Sequence, residues 1–308
     1  MSLAAGSRSP TPPLVTVDLW RVPARRVGPA LAHLALDRVR LRRVPGLVFA
    51  KLVGTSAPGA FGPWDAEPRR WGLVAAWDSE QAADAFPASA VARWWARAAE
   101  EHLRLRLRPV AARGRWSGRE PFGHPTPAQH PTPGQHPAAG HRSAGHDPTA
   151  GHDPAAGRDP TAGHDPAAGR DPAAGQDPTA GHRSAGEAPP APVAVLTRAR
   201  LAPRHAVAFW RAAPPVAAEL AALAADPVAG PLLAIGLGEA PVGLQGTFSV
   251  WPDLAAVRAF AYGRPAHADV VRRTPETGWY AEELFARFTV LAADGTLDGR
   301  NPLRPDSR

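Results

Sequence analysis

The chain has 308 residues, 44% of them hydrophobic, and a formal net charge of +7, which leaves room for one large or two small domains with cores of ordinary size. It contains no cysteine, so disulfides, thiolate metal sites, cysteine nucleophiles and a cysteine axial ligand to heme are excluded. No stretch reaches the roughly 18 apolar residues of a membrane helix, and the opening MSLAAGSRSPTPP lacks the apolar core of a signal peptide, so a cytoplasmic location is expected.

Lys51 is the only lysine, and nearly all the positive charge is arginine scattered through an Ala- and Pro-rich chain, as GC-rich coding bias would produce. No nucleic-acid partner is expected from that pattern. After a disordered start at residues 1–13, the elements follow in order: a strand LVTVDLWRV from Leu14, a helix near Val27 to Arg43, strands GLVFAKLVG and RWGLVAAW, a helix from Ser79 to Glu101, and a strand LRLRLRPVAA. In that last strand arginine alternates with leucine, which predicts a solvent-facing charged side. Trp94 and Trp95 are expected to face two ways, one into the core and one toward the other half of the chain. His33, His102 and His205 are placed on helices in surface or capping roles.

From Gly123 to Pro190 the composition changes. The hexapeptide G-[HRQ]-D-P-[TA]-A recurs from Gly145, after the proline-rich HPTPAQHPTPGQHPAAG. Glycine and proline every few residues prevent regular hydrogen-bonded ladders, and little side chain is present to bury, so residues 123–190 read as a disordered linker. Seven histidines lie between His130 and His182; repeat expansion accounts for them without a metal.

The second folded stretch, residues 191–303 before a short tail at 304–308, repeats the first. It gives a strand VAVLTRARL, a helix from Arg204 to Ala225, strands PLLAIGLGEA and GTFSVW, a helical region from Asp253 to Glu283, and a strand FARFTVLAA. Glu282 and Glu283 are expected in solvent near that helix end. GLVAAWDSEQAADAF matches GTFSVWPDLAAVRAF in register, and WSGREPF echoes LDGRNPL, so an internal duplication is the simplest account. Residues 14–122 and 191–303 thus form two β-α-β-β-α-β units, an α+β fold of two ferredoxin-like halves. Packed face to face they would enclose a barrel with a pocket between the sheets.

The halves diverge at one place. With Phe86 set on Phe260, Arg93 falls where His267 stands, in FAYGRPAHADVVRRTPETGWYAEELFARF. Pro265 suits a first helical turn, and His267 shares a face with Val270 and Val271. Two readings stand: a core imidazole satisfied by a backbone carbonyl, or a ligand. Arg272 and Arg273 fit an anionic cofactor such as the propionates of a heme, and Trp279 and Tyr280 add flat apolar surface. GLGEAPVG lacks nucleotide-binding spacing and reads as a hairpin.

FAYGRPAHADVVRRTPETGWYAEELFARF, with TFSVWPDLAAVRAF before it and RLRPVAARGRWSGREPF in the first half, resembles the spheroidene monooxygenase family. The resemblance implies a heme enzyme on a dimeric α/β-barrel that uses dioxygen to oxidise an acyclic carotenoid at C2 to the ketone. It makes His267 the heme ligand, with Arg272, Arg273 and Tyr280 as cofactor contacts. It also implies an external electron donor such as a ferredoxin, since no flavin or nicotinamide motif is present, and peripheral membrane contact as a route to an apolar substrate. Three other readings stay open: a heme dehydratase on the same fold, a non-catalytic heme or small-molecule binder, and a cofactor-free monooxygenase.

Overall fold

Along LVTVDLW, Val15, Val17 and Leu19 alternate with Thr16, Asp18 and Trp20, and a strand sends the two sets to opposite faces. Both sets are buried, so the sheet is covered on both sides. A computed structural model describes residues 11–57, 65–125, 191–201, 230–239, 244–263 and 280–304, with single positions between 218 and 226. The strands are β1 (Leu14–Arg21), β2 (Leu47–Ser56), β3 (Ala66–Trp77), β4 (Glu101–Gly114), β5 (Val193–Leu201), β6 (Leu233–Gly238), β7 (Leu244–Trp251) and β8 (Tyr280–Gly295). The described helices are α1 (Val27–Leu41), α2 (Glu80–Ala85), α3 (Ala90–Ala98) and α4 (Leu254–Gly263), with a 3-10 turn at Phe86–Ala88 between α2 and α3.

The fold is α+β, with all eight strands antiparallel in one closed barrel of order β1-β3-β2-β6-β7-β5-β8-β4. The four strands on each side of residues 126–190 follow the same order, fourth-first-third-second. Two seams join these sets: β4 runs beside β8 from Leu103 to Gly114, whereas among the described residues β2 meets β6 only at Gly54 and Thr55. Residues 1–128 and 190–308 belong to one unit. The hexapeptide repeats lie outside the described residues, as does most of the helix expected over 204–225.

Among the described residues, the space between the strands is filled by side chains. Val17, Phe49, Val74, Leu105, Trp116, Phe122, Ile235, Phe248 and Phe288 belong to one buried cluster drawn from both halves, and Phe122 meets Phe288 edge-on at 5.1 Å between ring centroids. The alternating apolar side chains that make each strand amphipathic are large enough to fill a barrel of eight strands. A cavity at one end, lined by Val53, Trp116, Arg198, Leu237 and Glu239, has a volume of about 10 Å³, room for no more than about one water molecule.

Outside the barrel, the first half packs α1, α2 and α3 on Leu14, Trp20, Leu52, Trp71, Leu73 and Trp77. Ser79 and Ser89 cap α2 and α3, accepting from the N–H of Ala82 at 3.3 Å and of Ala92 at 3.1 Å. Asp37 on α1 is fully buried and accepts from Trp95 Nε1 at 3.1 Å and Arg40 Nη1 at 3.0 Å. Several expectations change here. Trp95 is core, but Trp94 stacks on His33 of the same half at 3.5 Å rather than facing the other half. His102 stands on β4, not on a helix, with its Nε2 2.9 Å from the buried Asp18 carboxylate. The arginines of LRLRLR do point away from the barrel interior; Arg108 is exposed, but α2 engages the other two, Arg104 Nη2 donating to Ala83 O at 2.8 Å and Arg106 to Asp84.

Candidate functional site

The pairing registers set the two sheets position by position. Leu14 lies opposite Trp77 and Val193 opposite Trp251. Trp77 packs on Phe86 at 5.2 Å, and Trp251 packs on Phe260 at 5.3 Å. Asp253 repeats the Ser79 cap, accepting from Ala256 N at 2.8 Å. On this frame Trp20 corresponds to Ala199, Leu52 to Gly236 and Leu73 to Thr247.

The exchange replaces large side chains by small ones on one face. Trp20, Leu52 and Leu73 are 2%, 4% and 0% exposed beneath the first half's helices; Ala199, Gly236 and Thr247 are small and only half-buried. Around them stand Val195, Ala234, Trp251 and, from α4, Val257 and Phe260, all in one apolar cluster. Polar groups here are already paired: Thr197 and Thr247 share a hydrogen bond of 2.6 Å, and Trp251 Nε1 donates to Ser249 at 2.8 Å. The outer face of the second half's sheet therefore carries Ala199, Gly236 and Thr247 where the first half has Trp20, Leu52 and Leu73.

The halves also differ in length at this point. Glu101 stands fifteen positions after Phe86, and Glu282, the residue that corresponds to it, stands twenty-two positions after Phe260. The second half's surplus of seven residues falls in the stretch that contains His267.

A second feature sits at one barrel end. Arg198, 5% exposed, lies between Glu239, 3.3 Å from its Nε, and Glu282, to which its Nη1 donates. Lys51 Nζ donates to Glu239 at 3.0 Å and to Ser117 at 2.6 Å, and Trp116 Nε1 donates to Glu239. Glu282 also accepts from the N–H groups of Ser117 at 2.9 Å and Gly118 at 2.7 Å. Its corresponding residue, Glu101, accepts from Asp298 N at 2.8 Å and Thr296 Oγ1 at 2.9 Å, so each half holds the other's closing turn. Burial raises the pKa of both carboxyls, but these donors outweigh it and hold both below the ordinary value.

No protein-family model matches the chain. It is 29% identical over 296 residues to the spheroidene monooxygenase of Rhodobacter capsulatus, covering 94% of this chain and 95% of that one. It is 30% identical over 259 residues to the spheroidene monooxygenase of Rubrivivax gelatinosus, covering 83% and 73%. The chain belongs to the spheroidene monooxygenase family. As a member of that family it is an enzyme, an oxidoreductase. Among solved structures, an aldoxime dehydratase aligns over 90% of this chain and 80% of its own with a TM-score of 0.50 and 9% identity, a likeness of fold.

Within this family member, His267, Arg272, Arg273 and Trp279 lie outside the described residues. Tyr280 is the first residue of β8, half-buried and opposite Leu201. Arg93, set against His267 in the sequence, is exposed on α3 and donates to Ala88 O at 2.6 Å. Glu282 and Glu283 are in β8, which starts five residues before the expected strand, and Glu282 is bonded rather than solvated. The repeated spacing from Glu101 to WSGR and from Glu282 to LDGR was the available signal for that role. Among the described residues, no three His, Asp or Glu side chains converge as a metal site.

Proposed function

We propose that the protein is a heme-dependent monooxygenase that oxidises an acyclic carotenoid such as spheroidene at C2 to the ketone, with dioxygen and electrons from an external ferredoxin-type donor. The observation that carries this reading is the replacement of Trp20, Leu52 and Leu73 by Ala199, Gly236 and Thr247 on the second half's outer face. That floor suits a flat macrocycle and a polyene, since it is apolar and its hydroxyls already have partners. In this reading the two halves are ferredoxin-like units forming an intrachain dimeric α/β-barrel, joined by a linker over residues 123–190.

His267 is proposed as the iron ligand, because neutral imidazole is a good donor and the chain has no cysteine. Arg272 and Arg273 would pair with the propionates and Tyr280 would close the edge of the site. Bound heme would supply the activation of dioxygen. The chain's own contribution is to hold the polyene along the apolar floor in one register and to keep water from it, with Trp251 and Phe260 as side wall. The relatives' names support the substrate class.

The test is an absorption spectrum of protein expressed with ample heme, wild type beside His267→Ala, followed by supply of an acyclic carotenoid. A Soret band lost in the variant, and a ketone product that requires both dioxygen and reductant, is the expected result. No band in either protein overturns the heme reading, and turnover that needs neither dioxygen nor reductant assigns a dehydratase instead.

A further inference from the structure

Of the large apolar side chains among the described residues, the three most open to water are Leu31, Leu36 and Val39, 52%, 51% and 54% exposed, and all three stand on α1. At about 3.6 residues per turn they share with Ala32 and Ala35 the side of the helix opposite the buried Ala30, Asp37 and Leu41. Leu31, Ala35 and Val39 form one row, and Ala32 and Leu36 the next. Arginines border this ridge: Arg25 and Arg26 just before the first turn, and Arg38, Arg42 and Arg43 at the far end, all exposed. Asp37 is the only acidic residue between Ala24 and Arg43. It faces inward and is engaged by Arg40 and Trp95, so the outer face presents cations with no carboxylate among them.

We propose that this face of α1 docks on an anionic lipid surface, the helix lying flat with Leu31, Leu36 and Val39 in the headgroup region and the arginines on lipid phosphates. An apolar ridge bordered by arginine is the pattern of an interfacial helix, and long arginine stems let the charge reach the headgroups while the backbone sits lower. No described helix is long and apolar enough to cross a membrane, so α1 would rest on the surface. A second copy of the chain fits less well: a symmetric contact would set arginine against arginine with no exposed acid on the helix to pair with them. An acidic protein would engage the arginines and leave the apolar ridge without a partner. The proposal does not depend on the oxidation chemistry, and its test reads binding rather than turnover.

The full chain is sedimented with vesicles of phosphatidylcholine alone and of phosphatidylcholine with phosphatidylglycerol, at low and at physiological salt. Binding is expected only where phosphatidylglycerol is present, weakening as salt rises. Leu31→Gln/Leu36→Gln/Val39→Gln should weaken it at least about tenfold, and Arg38→Gln/Arg42→Gln/Arg43→Gln about fivefold per arginine. All six side chains are exposed, so unchanged circular dichroism and melting temperature identify the loss as one of binding. The proposal is overturned if the native chain ignores phosphatidylglycerol, or if either triple variant binds as the native chain does. It is also overturned if the apolar variant converts a dimer in solution into a monomer, which would assign the ridge to a second copy.

Discussion

Replacing Glu282 with alanine should cost more stability than replacing Glu101, although the two residues do the same work on opposite turns. Each substitution removes a carboxylate that accepts from a closing turn of the other half. Hydrogen bonds to a charged group contribute roughly 1.5–3 kcal/mol, and the bonds at one carboxylate do not add fully, so Glu101→Ala should cost about 2–3 kcal/mol. Glu282→Ala also takes from Arg198 one of its two acidic partners, at 5% exposure. Stranding a buried charge costs about 3–5 kcal/mol; Glu239 remains beside Arg198, so a part of that, about 1–2 kcal/mol, adds to the turn's loss. The position that corresponds to Arg198 in the first half is Leu19, which has no charge to strand. Urea unfolding at neutral pH, followed by circular dichroism and tryptophan fluorescence, measures both losses. Equal losses, or a smaller one at Glu282, would refute the reasoning that Arg198 depends on this carboxylate.

The same pair predicts the acid limb. Both folded-state pKa values lie below the ordinary carboxyl value of 4.5, so the stabilisation is complete above that value and fades as pH falls through the folded-state pKa; each alanine variant should show a shallower loss of stability below about pH 4.5 in the same unfolding assay. Gly114→Ala and Gly295→Ala should each cost about 2 kcal/mol or more, because both have positive φ and a Cβ would run into the carbonyl oxygen of Glu283 or His102; thermal melts check this. Phe288→Ala should cost about 3–5 kcal/mol by opening a cavity in the filled barrel, read by urea unfolding. Ala199→Trp restores the first half's residue on the proposed floor, and should abolish the Soret band of heme-supplied protein while leaving its circular dichroism unchanged; a band of native intensity would remove the cofactor from that face.

Much of the barrel was legible in the sequence because residues 14–122 and 191–303 carry matching segments, so that each element could be read twice. LVTVDLWRV and VAVLTRARL both run as strands over the expected residues, and the shared tryptophan before Phe86 and Phe260 fixed the register of the halves. Residues 280–283 were expected in a helix because AEEL carries helix-forming residues. Glu282 and Glu283 sit in β8 all the same, since pairing with β5 and a bond to the first half's turn override local propensity. The filling of the barrel among the described residues was not legible for a different reason. Alternation shows which side chains face inward and not whether they fill the space, and Phe49, Phe122, Phe248 and Phe288 do fill it. For the candidate site, sequence showed the divergence at His267, but the floor of Ala199, Gly236 and Thr247 needed the strand register, because small residues carry no signal until their large counterparts are set beside them.

The two seams of the barrel close by different chemistry. Along β4 and β8 the join is main chain from Leu103 to Gly114, a continuous run of paired backbone. At β2 and β6, where among the described residues only Gly54 and Thr55 pair, closure passes to side chains: Ser56 Oγ accepts from Gly236 N at 2.8 Å, and Lys51 reaches Glu239 at 3.0 Å. One seam is thus a long backbone ladder and the other a clasp. A clasp of hydroxyl and ion pair can be undone by single substitutions and by ionic strength, so the amides of Gly54 and Thr55 should exchange with solvent well before those of Leu105 and Leu107.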